Sequence, residues 1–209
     1  MSASETHALA CQALELTMGQ NVASSVVVTD ALGVEDVALW VTIDRAEVRR
    51  RRLTGLGAIT STGALELMCA LPLNEPVAIC DLNLREQAVI EHGLPAGLAD
   101  VTAATIVRRA SPALRLNGVV VVDDDWDRGL TDASRFANQC ARMLVMSAPA
   151  CDPIAQLEAA EYGIGLVGLD RSGELSILVA PARPRVDVSA FEWGEWEEVY
   201  GSSDLLIEA

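Results

Sequence analysis

Lysine is absent from all 209 residues, so each of the fifteen positive charges is an arginine. Any site built around a lysine ammonium is therefore excluded at the outset. No apolar run approaches the roughly eighteen residues that cross a bilayer, so no membrane partner is expected. The opening MSASETHALA has neither the basic nor the apolar region of a secretion signal, which places the chain in the cytoplasm as an expectation. GxSxG is missing, and with it the nucleophile elbow of one large hydrolase class. There are two histidines, His7 and His92, both in helical segments and neither beside a cysteine or serine motif. The five cysteines (Cys11, Cys69, Cys80, Cys140, Cys151) form no CxxC pair. Their odd number and wide spacing suit reduced core thiols better than disulfides or a zinc site. The glycine-rich GLGAITSTG at 55–63 lacks both GK[ST] and a preceding strand, so it is read as a flexible entry to the next helix rather than a phosphate loop. No cofactor is expected.

What is present is apolar and acidic. Hydrophobic residues make up 51% and the net charge is −15. This describes a chain that buries a core, and whose overall charge repels nucleic acid at long range. The charge is uneven: from Arg45 to Leu116 nine arginines face seven acids (+2), while the remainder carries −17. The basic middle includes the contiguous Arg49, Arg50, Arg51 and Arg52, and further along Arg108, Arg109 and Arg115. These seven are the candidate contacts for DNA or an acidic protein, with a solvated helix end as the plain alternative.

Patterning divides the chain. ETHALACQALELTM predicts a helix, capped by Ser4, with Ala8, Cys11, Leu14 and Leu16 on one stripe. ASSVVVTD and DVALWVTI read as strands around a turn at Gly33. Between Thr60 and Arg109, STGALELMCALPL, EPVAICDLNLREQAVIEHG (a short entry and then a helix stopped at Gly93) and DVTAATIVRRA read as three short helices with tight turns, the requirement of a winged-helix or helix-turn-helix module. The C-terminal half reads strand–helix–strand–helix–strand–strand: NGVVVV, a helix through LTDASRFANQCARM, LVMSAP, DPIAQLEAAEY capped by Asp152 before Pro153, then GIGLVGLD and LSILVAPA around RSGE. From Val186 onward the tail carries seven acids and no base. In it Phe191, Trp193, Trp196 and Tyr200 alternate with glutamates, as interface anchors do. They would either pack on the chain's own sheet or lie over the arginine-rich segment and mask it.

The run VVVVDDDWDRGLTDASRFANQCARMLVMSAP with EYGIGLVGLDRSGELSILVAP resembles the C-terminal half of PD-(D/E)XK nuclease-like proteins. The resemblance aligns Asp125-Trp126 with the Asp-Trp that opens the family's helix, Arg135 and Phe136 with that helix's basic-aromatic corner, and Gly163 to Asp170 with its hairpin. Asp36 falls at the metal-binding aspartate. It implies an α/β fold: a nuclease-like mixed sheet flanked by helices (1–44 and 116–185), an inserted winged-helix-like module (45–115) and the tail (186–209). The family's Glu, however, falls at Val120 and its Lys at Val122. Two valines neither coordinate Mg²⁺ nor steady a phosphate. The expectation is thus a non-enzymatic scaffold acting as a DNA-associated regulator. The alternatives are a protein–protein module, including a homodimer, that binds no nucleic acid, and a Mg²⁺-dependent nuclease using Asp36, Asp123, Asp124 and Asp125. For Asp123, Asp124, Asp125 and Asp127 the plain reading is a solvated acidic turn at a helix N-terminus.

Overall fold

A computed structural model describes residues 3–18, 32–34, 37–183 and 188–202. The predicted strand ASSVVVTD, Asp36 and the Leu205–Ile207 end of the tail lie outside the described residues. The chain divides into two units, Met1–Thr42 with Leu116–Val186, and Ile43–Arg115 with Asp187–Ala209.

The first unit is α/β, with a mixed five-stranded sheet flanked by helices. Its strands are β1 (Val37–Ile43), β5 (Leu114–Val122), β6 (Ala141–Ser147), β7 (Ile164–Leu169) and β8 (Leu175–Val179), side by side in that order. β5, β6 and β7 run parallel, with Val120 opposite Met143 and Met143 opposite Gly165, and β8 returns antiparallel to β7. Val119, Val120 and Val121 are buried, which is why this strand carries an unbroken apolar run instead of an alternating one. Helix α5 (Trp126–Ser134) joins β5 to β6, and α6 (Pro153–Tyr162) joins β6 to β7. Asp125 caps α5 through Arg128 N, and Asp152 caps α6 through Ile154 N and Ala155 N. Gly163 ends α6 at φ +67°, in the left-handed region that favours glycine. The predicted helix through LTDASRFANQCARM is thus shorter than its apolar pattern suggests, with turns from Arg135 to Gln139.

Helix α1 (Ala3–Met18) covers one side of the sheet, where Ala10, Ala13 and Leu14 meet Val120, Met143, Val145 and Val167. The predicted stripe is corrected: Ala8 is exposed, Cys11 is half-buried and Leu16 is 47% exposed. The small alanines face inward because they let the helix axis approach the valine-rich strands.

In the second unit α2 (Arg45–Thr54) starts at Asp44, whose carboxylate accepts from Ala46 N and Glu47 N, and stops at Gly55, φ +70°. Helix α3 (Thr62–Ala70) is capped by Ser61, and α4 (Leu84–His92) by a reciprocal capping box between Asn83 and Glu86. The third predicted helix is not one. DVTAATIVRRA forms most of an antiparallel hairpin, β3 (Ala99–Val101) and β4 (Thr105–Arg108), and β2 (Pro76–Ala78) pairs with β4 to give the order β2-β4-β3. The Thr102 hydroxyl accepts from Ala104 N and Thr105 N and so closes the turn. The flanking β-branched residues then outweigh the helix preference of Ala103 and Ala104.

The acidic aromatic segment is a helix of this unit, α7 (Ala190–Ser202). Trp193 is buried among Leu56, Ile59, Leu65, Met68, Leu98 and Ile106. At its centre lies an ion cluster. Arg51 is 0% exposed, Glu47 5% and Glu197 2%. Arg51 donates to Glu197 Oε1 and Oε2, both at 2.7 Å, to Glu47 Oε1 at 2.9 Å and to the Ser111 carbonyl at 2.8 Å. Glu197 also accepts from Ile59 N at 2.9 Å and Trp193 Nε1 at 2.7 Å.

Removing one member of such a cluster strands a buried charge, at a cost of about 3–5 kcal/mol. With Trp40 and Trp126 replaced by phenylalanine, emission reports Trp193 and Trp196 alone. Glu197→Ala in that background is expected to lower the stability measured by urea denaturation by about that amount. A loss below about 1 kcal/mol, the worth of a surface pair, would show that the cluster is not desolvated as described.

Candidate functional site

In parallel α/β sheets, ligands bind outside the carboxyl ends of the strands. A cleft of about 790 Å³ lies there in the first unit, lined by Val122 to Trp126, Arg128, Val145, Met146, Ser147 and Leu169. Asp123 accepts from Arg128 Nε, from Arg128 Nη2 at 2.8 Å and from Asp125 N at 2.8 Å. Partial burial works to raise its pKa, but the Arg128 hydrogen bond and charge prevail and hold the carboxyl below the ordinary range. Asp124 accepts from Ser147 N at 2.7 Å, tying the β5 end to the β6 end. Asp125 is the helix cap, and Trp126 donates to Glu158 at 2.7 Å. Each of Asp123, Asp124 and Asp125 thus has a structural partner, and among the described residues no group of three or more His, Cys, Asp or Glu is placed to hold a metal ion. Asp36 is outside the described residues. Val120 is buried in the apolar cluster beneath α1, and Val122 packs against it.

The seven arginines do not form one surface. Arg51 is the buried centre of the ion cluster, which corrects its assignment to a partner-binding patch. Arg50 donates to both Glu47 oxygens, at 2.7 and 2.8 Å, and to the Gly97 carbonyl at 2.7 Å. Arg108 is corrected likewise: it donates to the carbonyls of Met68, Leu71 and Ala110 and lies 4.9 Å from the Trp193 ring centre. Arg109 pairs with Asp100 at 2.7 Å and reaches Asn74 at 3.1 Å. Arg49, Arg52 and Arg115 are exposed, and Arg115 stacks 5.8 Å from the Trp196 ring centre. With α7 included, this unit holds nine arginines against fifteen acids, a net −6.

Of the four tail aromatics, Trp193, Trp196 and Tyr200 are buried, and only Phe191, 65% exposed, is available to a partner. The thiols also divide: Cys140 and Cys151 are buried, whereas Cys69 and Cys80 are exposed, contrary to a set of core thiols. Burial pushes Cys140 up to about 12, against a smaller opposing effect of Arg142, so it holds no thiolate at neutral pH.

Sequence reasoning missed the Arg51–Glu197 pair and the contact of α7 with α3. One signal was available for the second: Ala190, Gly194 and Gly201 place small residues along α7. A Cβ on Gly194 would stand 3.5 Å from Leu65 and one on Gly201 3.0 Å from Ala58. No protein-family model, curated protein or solved structure matches the chain.

Burial works to raise the Glu47 pKa, but hydrogen bonds and charges from Arg50 and Arg51 outweigh it and hold the carboxyl below its ordinary value. A carboxylate depressed in the folded state stabilises above the unfolded pKa of about 4.3 and loses that contribution as pH falls through the folded value. The melting temperature read from Trp193 and Trp196 is therefore expected to drop as pH is lowered from about 6 to about 3. Glu47→Gln should be less stable at neutral pH and show a flatter profile. An unchanged slope in that variant would remove Glu47 as the titrating group.

Proposed function

We propose that this protein is a non-catalytic scaffold that acts by binding another protein, and that its second unit is a winged-helix-like docking module rather than a DNA reader. The observation that carries the reading is the pairing of four of the arginines within the unit. Arg50, Arg51, Arg108 and Arg109 are bonded within the unit, and with the 187–209 segment included its net charge is −6. A DNA-binding surface needs its cations gathered and solvent-facing, because phosphate neutralisation supplies most of the affinity.

The winged-helix likeness rests on element order. Helix α3, strand β2, helix α4 and the hairpin β3–β4 follow one another, and the sheet order β2-β4-β3 sets the first strand beside the last. In such a module α4 takes the place of the recognition helix. Here that helix exposes Leu84 (84%), with Arg85, Glu91 and His92, and the β3–β4 turn carries Thr102, Ala103 and Ala104 with no base. An exposed leucine at the leading end of α4 suits a protein surface better than base edges. The non-catalytic part of the reading is supported by Asp123 and Asp124, which serve as structural acceptors, and by the apolar surroundings of Val120.

The element order by itself also favours a second reading, a DNA-associated regulator using Arg49, Arg52 and Arg115. Titration of random duplex DNA, followed by anisotropy at low and moderate salt with and without Mg²⁺, separates the two. No salt-sensitive binding tighter than about 100 μM near physiological salt, and no cleavage, is the expected result. Micromolar binding that weakens linearly in log salt and is lost on Arg49→Ala with Arg52→Ala would replace the protein-docking reading with the DNA one. Cleavage dependent on Mg²⁺ would overturn the non-catalytic reading.

A further inference from the structure

We propose that a groove on the second unit, between the 58–62 loop, α3 and α7, docks a basic amphipathic segment of a partner protein. This deepens the protein-docking reading and rests on it. The groove has a volume of about 570 Å³. Ala58, Ala190 and Phe191 supply its accessible apolar floor, with Ile59 and Leu65, 2% and 3% exposed, lying beneath it, and Gly194 and Gly201 add no side chain to it. Recessed apolar surface flanked by small residues is what an inserted helix face requires.

Charge decides the occupant. Glu195 and Glu198 line the groove, and among the described residues neither has a hydrogen-bond or ion-pair partner. Partial burial, and after it repulsion from Glu198, favours the neutral form of Glu195. Glu66, also on the lining, holds Arg85 at 2.7 Å, with side chains 42% and 77% exposed, so a basic side chain already docks on this rim. Glu197 is committed to Arg51 and is not free to bind a partner. Phe191, 65% exposed and lining the groove, is an aromatic anchor left in water. An acidic or polynucleotide occupant would meet unpaired carboxylates without gain. A lysine- or arginine-bearing segment with one apolar face satisfies both the floor and the rim.

The test uses the full chain and three fluorescent probes. The first is a designed helix with leucine on one face and lysine on the other, the second replaces its lysines by glutamate, and the third keeps the lysines but replaces the leucines by serine. Only the first is expected to bind, with resonance shifts at Ile59, Leu65 and Gly194. Phe191→Ser, and separately Glu195→Gln with Glu198→Arg, should each weaken it by about tenfold or more with unchanged melting temperature. Equal binding of the serine probe, equal binding to both variants, or no binding of the first probe would each overturn the groove assignment. None of these touches the broader docking reading, which the DNA titration judges separately.

Discussion

The second unit is organised around one desolvated guanidinium. Moving Arg51 out of water costs several kcal/mol, and only near-complete hydrogen bonding offsets that. Its bidentate bond to Glu197, its bond to Glu47 and the Ser111 carbonyl together meet this demand. With Arg50 also on Glu47, two arginines and two glutamates leave the cluster formally neutral. Such a cluster adds little net stability compared with an apolar core, but it tolerates very little misplacement. Glu197 must reach Arg51 while Trp193, one turn earlier, donates to the same carboxylate and Tyr200 sits 5.1 Å from the guanidinium. Only one rotation of α7 about its axis meets all three conditions. The ion cluster therefore specifies where α7 goes, and the apolar packing of Trp193 supplies the free energy for it to stay there.

The first unit meets a different constraint: four consecutive valines must find apolar cover on both faces of the sheet. The crossover helices α5 and α6 and the alanine face of α1 provide it. Gly129 of α5 shows how closely they approach, since a Cβ there would lie 2.6 Å from a methyl of Leu144. Beyond the apolar run the strand ends need polar termination, and the aspartates supply it. Asp124 secures the neighbouring strand, Asp123 holds Arg128, and Asp125 caps the helix. A cluster that resembles a cation site in sequence is thus accounted for by backbone donors and one arginine.

Much of this was legible. Unbroken apolar runs gave β5, β6 and β7, Asp152-Pro153 gave the start of α6, and Gly93 marked the end of α4. Failures occurred where local preference and tertiary demand diverged. Ala103 and Ala104 favour helix, yet the Thr102 hydroxyl and the β-branched residues around them make a hairpin. Within RAEVRRRR the buried positions are Glu47, Val48 and Arg51, a helical stripe of the ordinary spacing in which two of three residues are charged. A search for apolar periodicity passes over such a stripe, the more so because Leu53, the nearest apolar residue, is 82% exposed. The partner that makes the burial tolerable lies 146 positions away, and no local pattern announces it.

That distance changes what the charge distribution means. Read linearly, the middle of the chain is basic and the tail acidic, which suggests two objects of opposite sign. Folded, the tail helix is part of the middle. One of its carboxylates neutralises the innermost arginine, while Glu195 and Glu198 remain at the surface beside an apolar groove. Four of the unit's nine arginines, Arg50, Arg51, Arg108 and Arg109, are engaged within it, and its net charge is −6. Partners are selected by the surface that remains after internal pairing, so a basic stretch in the linear sequence does not by itself point to a polyanion.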